Sequence, residues 1–208
     1  PSITHGDLIG DDAFAPANEW IGFAKDTFTN LGSHQASAGE EPVSLLGQCG
    51  DNATLISAVQ GTSLESPFIG ETHVVEAVVT AVFPELQGFF IQEEAVDEDD
   101  NSNSSEGIFV YNNQNTVTPQ AGDVIRVIGK VSEHYGKTQL AANEDILNCG
   151  EDVVTATNLT LPFNSMEVPE ALEGMLVTIS ETLVVSDNYN LGKYGEVTLS
   201  KGRLFVPT

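Results

Sequence analysis

Strand signals dominate the stretch from Thr72 to Leu140. Thr72-His73-Val74-Val75-Glu76-Ala77-Val78-Val79-Thr80-Ala81-Val82-Phe83 is rich in β-branched residues and stops at Pro84, which reads as one long strand. Gly88-Phe89-Phe90-Ile91-Gln92 follows after a short turn, and Gly107-Ile108-Phe109-Val110-Tyr111 makes a third strand. From Asp123 to Val131 the residues alternate. Val124, Arg126, Ile128 and Lys130 fall on one face, and Ile125, Val127, Gly129 and Val131 on the other. Lys137-Thr138-Gln139-Leu140 closes a hairpin through His134-Tyr135-Gly136. Ahead of the strands, Leu55–Val59 reads as a short helix with Asn52 as its N-cap. Five strands, the first long enough to bend, plus a short helix predict an all-β fold: an OB-type five-stranded Greek-key barrel over residues 43–150.

The rest of the chain is organised around that barrel. Residues 151–208 read as a second, related OB-like β unit, either a half barrel, a hairpin that extends the first sheet, or the beginning of a further domain. Leu172-Glu173-Gly174-Met175, Val184-Val185 and Gly195-Glu196-Val197-Thr198-Leu199 echo the run from Phe68 to Gln92, with a glycine opening each long strand. Residues 1–42 are an N-terminal remnant and linker: Trp20, Phe23 and Phe28 follow neither a helical nor a strand period, and Gly32–Pro42 is small and polar.

Composition sharpens this picture. The chain has 208 residues, 31 acidic and 7 basic, for a net charge of −24, with a pI near 4.1. That balance opposes a generic nucleic-acid coat, because non-specific affinity comes from Lys and Arg neutralising phosphates. Hydrophobic residues make up 40% and the mean hydropathy is −0.05, so the chain can bury a core and is expected to fold and stay soluble. The charge is polarised. Residues 1–125 carry 20 acidic side chains and a single basic one, whereas residues 126–208 carry 11 acidic and 6 basic. Any phosphate-facing surface therefore belongs to the second part. No apolar run is long enough to span a bilayer, so no membrane partner is expected. The start at Pro1 reads as a processed or excised piece.

Cys49 and Cys149 are too far apart for a zinc motif. They read either as a disulfide or as two buried free thiols. A bond closing a loop of about 100 residues would restrict the unfolded chain by roughly 4.7 kcal/mol, and it would imply a secreted, extracellular protein.

Several motifs occur in an order that resembles the YhcR-type OB-fold region of large secreted bacterial nucleases. They are Gly88-Phe89-Phe90-Ile91-Gln92, an acidic loop, Ser105-Glu106-Gly107-Ile108-Phe109-Val110-Tyr111, Gly122-Asp123-Val124-Ile125-Arg126-Val127, and Tyr135-Gly136-Lys137-Thr138-Gln139-Leu140. Tyr189-Asn190-Leu191-Gly192-Lys193-Tyr194-Gly195-Glu196 and Gly202-Arg203-Leu204-Phe205 are similar to the stretch ahead of the catalytic domain in those enzymes. Asp12-Ala13-Phe14, Glu19-Trp20 and Lys25-Asp26-Thr27-Phe28 resemble the end of the lamin-tail-like domain that opens them. The resemblance implies a downstream endonuclease/exonuclease/phosphatase-type catalytic domain using Mg²⁺ or Mn²⁺. Its Gly-Asp-Phe-Asn and Ser-Asp-His motifs do not occur in this sequence, where Ser186-Asp187-Asn188 is the nearest approach. The chain thus resembles the non-catalytic front portion of a nuclease, and no catalytic residue is expected in it.

Two candidate sites follow. Arg126, Lys130, His134, Tyr135 and Lys137 on one hairpin, with Tyr189, Lys193, Tyr194 and Arg203 beyond it, form a basic and aromatic set suited to single-stranded DNA or RNA. They also fit ordinary exposed strand charges and turn tyrosines. Asp97, Asp99, Asn101, Asn103 and Glu106 alternate in one loop as an oxygen-rich Ca²⁺ site would, without the EF-hand glycine or its final glutamate. The same loop also fits a solvated acidic tip. The expected function is an accessory module that guides nucleic acid to the catalytic domain. A structural adaptor that orders that domain, or a calcium-dependent binding domain, are the alternatives.

Overall fold

A computed structural model describes residues 2–3, 20–21, 45–113, 118–142, 146–165 and 167–204, the first two pairs by backbone alone. The chain divides into two compact units, Pro1–Leu45 and Leu46–Thr208. In the first, β1 (Ser2–Ile3) pairs antiparallel with β2 (Trp20–Ile21). The aromatic segment around Phe23 and Phe28 and the linker Gly32–Pro42 lie outside the described residues.

The second unit is built on a closed barrel. Its strands are β3 (Thr72–Phe83), β4 (Gly88–Gln92), β5 (Gly107–Tyr111), β6 (Asp123–Glu133) and β7 (Thr138–Ala142). The order β3-β4-β5-β7-β6 closes through a β3–β6 pairing, and β5 and β7 are parallel while the other barrel pairs are antiparallel. This is the OB-type arrangement, and closure removes the open sheet edges that would invite aggregation. β8 (Leu147–Glu151) adds to the first half of β6.

Alternation explains the core. Val75, Ala77, Val79, Phe89, Ile91, Ile108, Val110, Ile125, Val127, Val131 and Leu140 point inward and form one cluster with Ile56 and Val59. Each large apolar side chain so buried contributes roughly 1.5–3 kcal/mol. The β6–β7 hairpin turns at Tyr135 and Gly136, whose φ values of 54° and 77° meet the positive-φ requirement of a type I′ turn.

The short helix α1 spans Ile56–Gln60, and its N-cap position is Leu55, without a side-chain cap. Asn52 therefore does not cap it. The end is satisfied from the barrel instead, where the Ile56 N–H donates to Glu93 Oε1 at 2.6 Å. At the other end, Gln60 Nε2 donates to the Gly107 carbonyl at 2.6 Å, which ties the helix to β5.

Beyond β8 the chain forms smaller pairs. β9 (Thr157–Asn158) and β10 (Val177–Thr178) are parallel. β11 (Val184–Asp187) and β12 (Thr198–Ser200) make an antiparallel pair with a register shift between Val185 and Asp187, joined through α2 (Leu191–Tyr194). None of the described residues after Ile146 is buried. Cys49 and Cys149 form a disulfide, with Cα atoms 5.4 Å apart. No helix among the described residues is long and apolar enough to cross a membrane.

Candidate functional site

The outer face of β4 and β5 carries three cross-strand rows, because the residues facing away from the core are every second one. Gly88 lies opposite Tyr111, Phe90 opposite Phe109, and Gln92 opposite Gly107. β3 extends the first row with Phe83, the partner of Gly88. The result is a run of aromatic rings. Phe83 meets Phe90 edge-on at 5.8 Å, and Phe90 meets Phe109 edge-on at 5.0 Å. Lys137, just ahead of β7, lays its ammonium 3.9 Å from the Phe109 ring centroid and 5.5 Å from that of Phe90. Burial pushes the Lys137 pKa down, and neighbouring Glu173 opposes that shift. Phe83 is 41% exposed, Phe90 and Tyr111 are half-buried, and Phe109 lies beneath them at 3%. Rings that expose a face or edge beside a cation suit stacking of a planar group with an anion nearby.

The basic set expected from the sequence is distributed otherwise. Arg126 is 2% exposed and turned under the segment that precedes α1. Its Nε donates to the Leu46 carbonyl at 2.5 Å, Nη1 to the Asp51 carbonyl at 2.8 Å and to Glu76 Oε2 at 2.9 Å, and Nη2 to the Asn52 carbonyl at 3.0 Å. A guanidinium so engaged is not offered to a phosphate, and Arg126 is a structural residue here. Lys130 is exposed on β6. His134 and Tyr135 pack edge-on at the hairpin tip, 4.6 Å apart, with Tyr135 fully outside the barrel. Lys193 sits 4.7 Å over Tyr194 in α2, and Tyr189 and Arg203 are exposed on the β11–β12 unit. Of the nine residues singled out, only Lys137 joins the aromatic row. Phe83, Phe90 and Phe109 were missed, although outward phenylalanines alternating with inward Phe89 and Ile91 are visible in the sequence.

The acidic loop is braced by its own oxygens: Asp99 Oδ1 accepts from the Asn101 N–H, Asp99 Oδ2 from Ser104 Oγ, Asn101 Oδ1 from the Asn103 N–H, and Glu106 Oε1 from the Asp99 N–H. Glu106 is largely buried, which with the nearby Asp99 and Glu98 charges pushes its pKa up to about 7. Partial burial works against the Asp99 charge, but the hydrogen bonds from Asn101 and Ser104 outweigh it and hold the pKa below the usual range. Asp97 also draws near Glu93 and Glu94, with one carboxylate oxygen of each within 4.8 Å of the others. They line a cleft of about 240 Å³ together with Asp51, Thr54 and Glu76. Burial, reinforced by Glu94, Asp97 and Glu106, raises the Glu93 pKa to about 8.

No protein-family model matches the chain, and no curated protein or solved structure matches it either.

Proposed function

We propose that the barrel is an accessory module that guides single-stranded nucleic acid in a secreted nuclease of the YhcR type, the chemistry being done by a downstream catalytic domain. The observation that carries this reading is the row Phe83, Phe90 and Phe109 under Lys137, on the face that OB-type barrels use for oligonucleotides. Such a site is small. Among the described residues it offers the open parts of Phe83 and Phe90 for stacking, over buried Phe109, and the Lys137 cation, so its affinity is modest and falls with salt. The disulfide supports export to an oxidising compartment.

Anisotropy of a labelled oligo-dT at low ionic strength tests the reading. Binding should be lost in Phe90→Ala and Lys137→Glu and be unchanged in Arg203→Glu. Absence of binding by the wild-type chain, with Ca²⁺ present, rejects it.

Calcium enters the proposal at Glu93, Glu94 and Asp97, whose mutual crowding a hard divalent cation would relieve. Its test is the melting temperature with added Ca²⁺, which should rise in the wild type and not in Asp97→Asn.

A structural adaptor is the second reading, favoured by the β11–β12 pair. There Val185 (61% exposed) faces Leu199 (48%), and Leu191, Tyr194 and Val197 are exposed nearby in sequence. Apolar groups left in water in this way suit docking on another domain. Charge reversal at Lys130 and Lys193 would then leave docking intact.

A further inference from the structure

The segment Glu173–Leu176 crosses the outer face of the barrel at the Gln92/Gly107 row, next to the aromatic row. It is held by backbone and polar groups. The Glu173 carbonyl accepts from Ser105 Oγ at 2.6 Å, Glu173 Oε1 accepts from the Thr138 N–H at 2.8 Å, and the Leu176 N–H donates to Gln92 Oε1 at 2.8 Å. Between these bonds the two backbones meet at Gly107 and Gly174. A Cβ on Gly107 would lie 2.5 Å from the Gly174 carbonyl carbon.

Cover and covered surface are unequal. Beneath the segment, Gln92 is 0% and Ser105 2% exposed. The segment itself contributes no buried side chain, and it is held through those three hydrogen bonds and the Gly107–Gly174 backbone contact. The seat is also incomplete. Gln92 Nε2 is buried on this face without a hydrogen-bond partner among the described residues, although its own Oε1 is satisfied by the segment. A nucleobase edge offers the acceptor that this amide lacks.

We propose that Glu173–Leu176 is a displaceable cover over one end of the polymer-binding face, and that its removal extends the Phe83–Phe90–Phe109 row to the Gln92 amide. The inference rests on the reading of that face as a surface for single-stranded nucleic acid. Binding in the covered state is confined to the aromatic end. In the open state a strand stacks on Phe83 and Phe90, places phosphate near Lys137 and pairs a base edge with Gln92. The cover lowers apparent affinity by the fraction of molecules that are open.

The test compares oligo-dT binding by the full chain and by Leu176→Pro, which removes the N–H that Gln92 accepts, with Ser105→Ala as a second variant should the proline variant not fold. If about one molecule in ten is open in the wild type, freeing the segment raises affinity by up to about tenfold, the limit reached when the covered state's aromatic end binds negligibly. Hydrogen exchange supplies an independent readout: saturating oligo-dT should speed exchange of the wild-type Leu176 amide. Unchanged or weaker binding by the loosened variants, or slower Leu176 exchange in the complex, overturns the cover while leaving the aromatic surface standing. Failure of every variant and the wild type to bind rejects the surface itself, and the cover with it.

Discussion

Arg126 and Glu76 face each other across the β3–β6 pairing and close a 2.9 Å ion pair with side chains 3% and 19% exposed. Glu76 also accepts the Gly50 N–H, so the pair fastens the segment before α1 from both ends. Removing one partner of a buried pair strands the other, at a cost of about 3–5 kcal/mol. Arg126→Met should lose stability on that scale in urea titrations. Arg126→Lys should recover little of it, because a single ammonium cannot reach three carbonyls and a carboxylate in a fork geometry. A loss below about 1 kcal/mol would mean that the segment is held by other contacts.

Cys49–Cys149 secures the same segment to β8 and closes a separation of 100 residues. Its effect falls mainly on the unfolded chain, so reduction or Cys149→Ser should lower stability by about 2–5 kcal/mol. The Arg126 bonds do not pass through the disulfide. The near-ultraviolet spectrum and the exchange rates of the β3–β6 amides should therefore stay native-like in the reduced protein below its melting point. Broad loss of their protection on reduction would show that the disulfide is needed to form the barrel itself.

The barrel was legible because its strands advertise themselves: Thr72–Phe83, Gly88–Gln92 and Gly107–Tyr111 have the ends expected from the run of β-branched and aromatic residues before Pro84 and the glycines that open the next two. Arg126 was not legible. Alternation assigns it to the outer face, and it takes contacts with Leu46, Asp51 and Asn52, far away in sequence, to show that this face is covered there. The cap on α1 failed for the same reason, since Glu93 reaches it from 37 positions downstream while Asn52 is the local choice. In the acidic loop, spacing alone does not record the Asx-type bonds by which Asp99 and Asn101 brace the loop's own N–H groups. The aromatic row needs β3, β4 and β5 brought side by side, which no single stretch of sequence records.

Gly88 gives a sharper test of that row. A Cβ there would lie 2.3 Å from both Phe109 Cζ and the Val110 carbonyl oxygen. The ring can tilt, but the carbonyl belongs to the ladder between β4 and β5 and cannot move without breaking it. Gly88→Ala should cost about 1–3 kcal/mol as an overpacking change, and it should disturb Phe90 and Phe109 resonances before those of the core residues Ile125 or Val127. A stable variant with unshifted Phe109 would contradict the described packing.

The pH dependence of stability should run opposite to the usual carboxylate pattern. Burial is the leading cause that raises Glu93 to about 8, Glu106 to about 7 and Glu173 to about 7, against an ordinary value of 4.5. Neighbouring carboxylates add to it: Glu94 and Asp97 beside Glu93, Asp99 and Glu98 beside Glu106, and Glu170 and Glu133 beside Glu173, where Lys137 pulls the other way. The backbone N–H groups of Ile56, Asp99 and Thr138 favour the ionised forms but do not prevail. Because each folded pKa lies above the unfolded one, the folded state holds protons more tightly. The contribution to stability is complete below about pH 4.5, and it declines as pH rises through about 7 and then about 8. The melting temperature should therefore fall between about pH 5 and pH 9. Glu93→Gln keeps an oxygen for the Ile56 N–H and carries no charge, so it should abolish the decline between about pH 7 and pH 8 and make the decline below pH 7 shallower. A melting temperature that rises across this range, or a Glu93→Gln profile parallel to the wild type, would mean that Glu93 is ionised in the folded protein at neutral pH.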